Sequence, residues 1–565
     1  MTRYIPSLAC GLILLASVLK AQEAKPKSPW EGNWKLVVSA FGEDEFLVVN
    51  LKAQGEKLTG DISQQGDFLD DMEVEEIKTA GNTLQLKLKE GSGNLVFRGK
   101  PTSPALITGL VEFRDRVFPA KLVPSDGGKL VESKNSPLLT EVFQQLRVPD
   151  AELRTKNLQA LRDQHADSPL SYYVYTFLTQ ALAEAESEPE ELEKCWQQWE
   201  KSAQFFGDEW VDECAMRTIQ LLQGKELYAD QTLRMSQAVQ KKFTAETPLK
   251  KQKIVLTALV EAAKTLKKDE LFKTHDAALQ ALEAKLDQEY LAKVPPFKPD
   301  VFEGRKQATD KRVVLLELFT GAQCPPCVAA DVAFDALLTT YKPTELIALQ
   351  YHLHIPGPDP LTSPAAEARG EYYVLDGTPS LYFNGLTDAP GGGGMGASQA
   401  KYKQIREVVD RTIEGAPRAE IKLIAQRTGN KVQIQAAAQS LETGKAGEDA
   451  KAGDLVLRLV LTEESVRYQG GNGVRFHHHV VRDFPGGVAG TALKAGKCDV
   501  NLTLDLDQVR EGLSKYLTKF AEEYAPFPQL PSIALEDISV VAFVQNNNDK
   551  SVWHAVTVKV QADKK

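Results

Sequence analysis

Cysteine is scarce in this 565-residue chain: there are six, and five of them (Cys195, Cys214, Cys324, Cys327 and Cys498) lie beyond the N-terminal apolar segment. A fold stapled together by disulfides needs far denser cysteine, so a disulfide scaffold is excluded. Only Cys324-Pro325-Pro326-Cys327 has motif spacing. Zinc ordinarily takes four ligands, and no second Cys-x-x-Cys or Cys/His knuckle is present to supply them, so no metal or other cofactor is expected. Positive charge is not in excess either: Lys plus Arg is 67 against 77 Asp plus Glu, a formal net charge of -10. Nucleic-acid binding demands clustered cations, and this balance offers none. Long apolar runs are missing beyond the first two dozen residues, so no membrane span is expected. What remains, 42% hydrophobic and 25% charged, is ordinary for globular protein. At this length roughly three to five domains are expected rather than one core.

The N-terminus reads differently. Arg3 precedes an apolar run from Leu8 to Leu19 (LACGLILLASVL), with the small residues Ala21 and Ala24 beyond it. A bilayer span takes about 20 apolar residues, so this run is too short for one. A charged start, a short apolar stretch and small residues after it describe a secretory signal peptide over residues 1–21. Cys10 stands at the start of the apolar run rather than after it, which speaks against lipid attachment. The expected location is therefore outside the cytoplasm: periplasm, cell surface or secreted.

Residues 28–125 alternate apolar and polar positions in short runs (KLVVS, FLVVNL, TLQLKL, VFPAKL) broken by Gly, Asp and Asn. That pattern predicts an all-β barrel or sandwich of about seven or eight strands. Gly32-Asn33-Trp34 resembles the Gly-x-Trp opening of lipocalins, although Trp34 as simple core filler explains it better. After a polar linker, residues 137–293 are rich in Ala, Leu, Glu, Lys and Gln at helical spacing. About seven or eight helices in a tetratricopeptide-like array are expected, without a clean repeat. Cys195 and Cys214 fall there as buried thiols or as a disulfide. Residues 305–416 alternate strand and helix: Arg312–Phe319, Val328–Thr340, Leu346–His354, Ser380–Phe383 and Gln399–Glu414. Residues 418–565 return to strand period, with a closing hairpin turning at 546–549, and predict a β-sandwich. Cys498, alone in that segment, is expected to be a buried thiol.

The chemistry concentrates at the cysteine pair. Val313-Val314-Leu315-Leu316 is a fully buried strand type, and the pair follows it at a strand-to-helix junction. A thiolate at a helix N-terminus faces unpaired backbone N–H groups and the positive end of the dipole, which makes it nucleophilic. Pro325 and Pro326 remove N–H donors that lack partners at that position anyway. Cys324 is then the exposed attacking sulfur and Cys327 the deeper, resolving one. His352 and His354 alternate near the C-terminal end of the next strand, where parallel sheets carry their sites. They are possible modulators of a thiolate or completers of a metal site, or else ordinary hydrogen-bonded histidines. His477 and His479 share a strand face and read as a surface or cross-strand polar ladder.

From Arg312 to Gly415 the chain resembles the thioredoxin-like superfamily, on FTGAQCPPC after an apolar strand and on Gly377-Thr378-Pro379 about 50 residues later. The resemblance implies an α/β thioredoxin-like domain, a cis bond at Pro379, and a substrate groove shaped by Thr378, Pro379 and the neighbouring Gln323. It also implies that Glu317, allowing for one extra loop residue, is the buried acid that takes a proton from Cys327, with a raised pKa. The string LLELFTGAQCPPC…LIALQYHLH resembles secreted bacterial thioredoxin-like proteins. A following β-segment with HHHVVRDF and ISVVAFVQNNN is similar to a family of bacterial outer-membrane surface proteins. Thioredoxin itself has Trp-Cys-Gly-Pro-Cys, so Gln323 and the second proline depart from it, and Gly391–Gly396 (GGGGMG) suggests a mobile loop beside the groove.

Two functions follow. One is an extracytoplasmic thiol–disulfide oxidoreductase acting on protein or small-molecule thiols and disulfides. The other is a non-enzymatic exported scaffold with protein partners on its helical or β-domains, in which the pair is a structural bridge. Whichever holds, N-terminal sequencing of exported material should begin near Gln22; acylated Cys10 as the first residue would overturn the signal-peptide assignment.

Overall fold

The computed structural model describes residues 28–560, apart from positions 41, 55–56, 70, 91–92, 114–115, 132–135, 307–310, 443–453 and 528–529. The expected signal peptide lies outside the described residues. The chain divides into two compact units, residues 1–284 and 285–565. Among the described residues no helix is long and apolar enough to cross a membrane.

The first unit opens with eight strands: β1 (Gly32–Val38), β2 (Asp44–Gln54), β3 (Lys57–Gln65), β4 (Met72–Ala80), β5 (Thr83–Glu90), β6 (Gly93–Ser103), β7 (Leu106–Phe113) and β8 (Arg116–Pro124). They form one antiparallel, barrel-like sheet in the order β3-β2-β1-β8-β7-β6-β5-β4. Strand alternation sends Leu84, Leu86 and Leu88 inward. Trp34 is core filler, its Nε1 donating to Trp30 O at 2.8 Å among Leu36, Leu47, Phe97 and Leu122.

Helices α1 (Pro137–Gln145), α2 (Ala151–Gln164), α3 (Ser171–Glu184), α4 (Pro189–Ala203), α5 (Asp208–Leu222), α6 (Ala229–Gln240), α7 (Leu249–Thr265) and α8 (Asp269–Lys293) follow. Local signals set their ends: proline opens α1 and α4, and the Asp150 carboxylate accepts from Leu153 N–H at the start of α2. The helices dock on the barrel through α3. Tyr172 and Tyr173 hydroxyls donate to the Ala40 carbonyl at 3.2 and 2.8 Å. Cys195 on α4 and Cys214 on α5 are buried free thiols. Burial pushes them up to about 11 and about 12, which makes both inert as nucleophiles.

In the second unit, β9 (Val314–Thr320) leads through the cysteine turn into α9 (Val328–Thr340), β10 (Leu346–His352), α10 (Pro364–Tyr373), β11 (Ser380–Phe383), β12 (Leu386–Thr387) and α11 (Ser398–Thr412). Beyond them come β13 (Ala419–Thr428), β14 (Lys431–Ser440), β15 (Leu455–Arg467), β16 (Phe476–Asp483), β17 (Thr491–Ala492), β18 (Lys497–Asp505), α12 (Leu506–Glu523), β19 (Ile538–Asn546) and β20 (Val552–Lys559). The strand-period expectation passes over α12. Its signals are nonetheless local: Asp505 accepts from the Asp507 N–H, and Leu506, Val509, Leu513 and Leu517 recur at helical spacing. Cys498 is half-buried rather than buried.

Strands from both sides of residue 417 share one nine-stranded sheet, in the order β12-β11-β9-β10-β16-β15-β19-β20 with β17 beside β15. The join is a parallel pairing of β10 with β16 at Gln350 and Val480. Because β9 and β10 are covered on both faces, they are apolar almost throughout. Val314, Leu316 and Leu318 pack against α9 and α11, while Leu315 and Phe319 face the side that holds α10. At the other end, the three-stranded sheet β13-β14-β18 and α12 enclose a second core with Leu457, Leu459, Val540 and Ala542.

The sheet curls until its last hairpin meets the β11–β12 turn. Val552 N–H donates to Asn384 O and Asn384 N–H to Leu315 O, both at 2.8 Å. Gly385 makes this approach possible: its φ is +82°, and a Cβ there would lie 1.7 Å from Lys550 O. Gly385→Ala should cost about 2–3 kcal/mol by combining left-handed strain with a backbone clash. Hydrogen exchange should then show β9 and β19 losing protection together; loss confined to β19–β20 would mean the two segments are energetically separate.

Candidate functional site

Cys324 and Cys327 form a disulfide. β9 ends at Thr320, the chain turns through Gly321–Gln323, and Pro325–Cys327 makes a single 3-10 turn that feeds α9. Thr378 Oγ1 donates to Cys324 Sγ at 3.5 Å, and the Thr378 carbonyl oxygen lies 3.8 Å from the same sulfur. The Thr378–Pro379 peptide bond is cis. Thr378, Pro379 and Gln323 are all partly exposed around the pair.

Two glycine-rich loops close over this turn. Gly393 N–H donates to Pro326 O at 2.7 Å, and Ala329 N–H donates back to Gly393 O at 2.8 Å. A Cβ on Gly392 would stand 2.2 Å from Pro326 O, so only glycine allows this backbone contact. The expected mobile loop is therefore held against the start of α9. From the other side comes the β15–β16 loop. Asn472 N–H donates to Ala322 O at 3.1 Å, and Asn472 Nδ2 reaches the carbonyls of Gly321 and Cys324 at 3.3 and 3.4 Å. Gly470 passes so near Ala322 O that a Cβ would lie 2.2 Å away. Cys324 is consequently only 2% exposed, which corrects the expectation of an exposed attacking sulfur. Pro325 and Pro326 form the exposed rim instead.

Glu317 is also corrected. Alternation along β9 turns it away from α9, onto the face that carries α10. There Arg369 grips it with two hydrogen bonds, Nε to Oε1 at 2.8 Å and Nη2 to Oε2 at 2.9 Å. Tyr351 and Tyr373 hydroxyls donate to the same carboxylate at 3.0 and 2.6 Å. Burial pushes the carboxyl up, but Arg369 and the two tyrosines outweigh it and hold it below its ordinary range. A carboxylate so paired is a poor proton acceptor, and it belongs to the framework.

The buried acid on the α9 face is Asp331, which the resemblance does not single out. It lies one helical turn after Cys327, a spacing that sets side chains about 5–6 Å apart at Cβ. Asp331 is 2% exposed, and burial pushes its carboxyl up to about 7. Gln350 Nε2 donates to Oδ1 at 3.1 Å, while Oδ2 has no hydrogen-bond partner among the described residues. An aspartate at the fourth position after the pair, among the apolar residues that open α9, was the available signal.

The histidines occupy this same interior. His352 Nδ1 donates to Asp359 Oδ2 at 2.8 Å, and its ring meets His477 edge-on at 4.8 Å between centroids. Asp359 also accepts from the N–H groups of Ala322 and Leu361, at 2.6 and 2.8 Å, so it ties down the turn before Cys324. Burial raises the Asp359 carboxyl, but His352 and those N–H groups more than offset it. His354 lies just past β10 and uses both nitrogens elsewhere, accepting from Asp359 N–H and bonding Tyr516 Oη, each at 2.9 Å. Phe520 stacks on it at 3.6 Å, and burial pushes the ring down to about 4. Neither His352 nor His354 completes a metal site: among the described residues no three His, Cys, Asp or Glu side chains are arranged to hold an ion. Of the surface or cross-strand ladder expected of His477 and His479, the surface placement of His477 is corrected. His477 is fully buried and donates to Tyr468 O at 3.0 Å, and His479 donates to Ala348 O at 2.9 Å.

Comparison with known proteins matches no family and no curated protein. Among solved structures, part of the chain is similar to HBP35 of Porphyromonas gingivalis, at 17% identity and a TM-score of 0.31, over 45% of this chain and 77% of that one.

Glu317→Gln separates framework from chemistry. A neutral amide leaves the Arg369 charge buried without its counter-ion, so the variant should lose about 3–5 kcal/mol in chemical denaturation. Resolution of a mixed disulfide by Cys327 in the molecules that stay folded should match wild type; slowed resolution at unchanged stability would restore Glu317 as the base.

Proposed function

We propose that the chain is an exported thiol–disulfide oxidoreductase whose redox centre, in a thioredoxin-like domain, is the Cys324–Cys327 pair. The observation that carries this reading is the placement of the pair at the start of α9 with Thr378 Oγ1 donating to Cys324 Sγ. In the reduced form that hydroxyl and the helix N-terminus favour the Cys324 thiolate. The thiolate attacks one sulfur of a substrate disulfide, the substrate S–S bond breaks, and a mixed disulfide forms at Cys324. Cys327 then loses its proton and attacks Cys324 Sγ, releasing the second substrate sulfur as a thiolate and re-forming the bridge. The substrate gains two electrons and the pair loses them; a dithiol reductant returns the enzyme to its starting state. Thr378, Pro379 and Gln323 border the approach to the sulfur.

A second reading has its own support. Cys324 is 2% exposed beneath two docked loops, as suits a structural bridge in a non-enzymatic exported protein with partners on its helical or β-domains. Insulin reduction and thiol oxidation by the full chain separate the two. Under the redox reading Cys324→Ser abolishes turnover, Cys327→Ser accumulates trapped mixed disulfides, and Pro379→Ala weakens substrate engagement while the fold persists. Under the structural reading the pair stays oxidised in glutathione and the double Ser variant keeps partner binding. Equal background activity across wild type and all variants would overturn the oxidoreductase.

A further inference from the structure

Exchange at a disulfide requires a thiolate to reach one of its sulfurs. Cys324 is 2% exposed and Cys327 is fully buried, so the closed structure offers no such approach. Redox chemistry at the pair therefore runs through a second arrangement, in which part of the cover has moved. The parts of that cover differ in how firmly they are held. Thr378 and Pro379 lead directly into β11, which is fixed by its pairing with β9. The 391–396 loop makes two reciprocal backbone hydrogen bonds with the start of α9, at 2.7 and 2.8 Å.

The β15–β16 loop is held differently. Its base is closed: Tyr468 N–H donates to Arg475 O at 3.0 Å, and the buried Val474 packs on Val328 and Val332 of α9. The tip, Gly470-Gly471-Asn472-Gly473, is tied to the cysteine turn through Asn472. Its N–H reaches Ala322 O at 3.1 Å, and its Nδ2 divides its donation between Gly321 O and Cys324 O at 3.3 and 3.4 Å. These bonds are longer than the usual length of about 2.9–3.0 Å. Gly321 O and Cys324 O already accept from the turn's own Cys324 and Cys327 N–H groups, at 3.0 and 3.1 Å. Asn472 thus braces the turn without being needed to satisfy those two carbonyls, and its release leaves Ala322 O for water to take up. Gly471 and Gly473 are exposed on either side of it, and Gly473 has a φ of +87°. Such residues let a tip move while its base stays folded.

Resting on the oxidoreductase reading, we propose that the β15–β16 loop is a gate on the Cys324–Cys327 pair and that Asn472 is its latch. With the latch closed, the turn from Gly321 to Cys324 is pinned and Cys324 Sγ stays against Thr378. With Asn472 released, the tip swings on its glycines, the turn shifts, and the sulfur comes within reach of a thiolate. The closed state protects the disulfide from chance thiols, and the opening equilibrium governs the rate of exchange. Asn472 is a positioning residue, because it touches the backbone of the turn and neither sulfur.

The test mixes oxidised full-length protein with excess dithiothreitol, which gives up two electrons as it closes to its cyclic disulfide. Thiols at positions 324 and 327 are then counted by alkylation and peptide mass. In wild type the reduction rate should change by less than about two-fold with urea below the unfolding transition, because moving the 470–473 tip exposes little surface. A rate that climbs steeply from the lowest urea concentration would mean that the pair is reached only through unfolding, and would overturn the gate. Asn472→Ala should speed reduction about ten-fold by removing the two side-chain bonds to the turn. Gly473→Ala adds a methyl that meets no neighbour but strains the closed backbone, and should speed reduction about five-fold. Unchanged rates in both folded variants would also overturn the gate. If Asn472→Ala does not fold, Gly473→Ala and the wild-type urea profile decide. Insulin turnover is followed in parallel. Gate kinetics as expected, with turnover at background in wild type and variants alike, would overturn the oxidoreductase reading and leave the gate standing.

Discussion

The second unit is organised around one ion pair. Glu317 and Arg369 are both completely buried, and their two parallel hydrogen bonds are satisfied on every side. Arg369 Nη1 also donates to Gln545 Oε1 at 2.9 Å, and Arg458 donates to the same oxygen at 3.0 Å. Through these contacts β9, α10, β15 and β19 meet at one point, although they are far apart in sequence. A buried charge is tolerable only when it is paired and hydrogen-bonded, and removing one partner strands the other. The pair therefore ties the strand that carries the cysteine turn to the closing hairpin of the chain.

That framework explains how the cysteine turn is enclosed. The loop contributed by β15 and β16 reaches the turn because β16 pairs directly with β10, and the glycine-rich 391–396 loop reaches it from the other side. Both approaches are backbone against backbone, which is why glycine stands at 392 and 470. Burial of Cys324 is thus a property of the whole unit. In the oxidoreductase reading the loops shape access to the sulfur, and in the structural reading they seal it. The polar interior around Asp331, His352 and Asp359 lies beneath the same turn, on the opposite sheet face from Glu317.

Much was legible in the residues. The barrel-like sheet, the helical region, the cysteine turn between β9 and α9, and the closing hairpin follow from apolar periodicity, turn residues and proline placement, all local signals. The helix over Leu506–Glu523 had such signals too, in its Asp505 cap and spaced leucines, and was masked by the strands around it. Glu317 misleads for a different reason. A one-residue change in loop length moves a strand position to the other sheet face, and linear spacing does not record which face a side chain takes.

The elements, the single motif pair and its seat at a helix start are encoded locally, because they depend on neighbours a few residues apart. Tertiary structure alone decided which acid lies under the cysteines, that Cys324 is covered, and that strands from both sides of residue 417 form one sheet. Those outcomes rest on contacts between residues as distant as Glu317, Arg369 and Gln545. Only the closed fold brings such groups out of water together, and the partners each buried carboxyl meets there then fix which stays charged and which is left to titrate near neutrality.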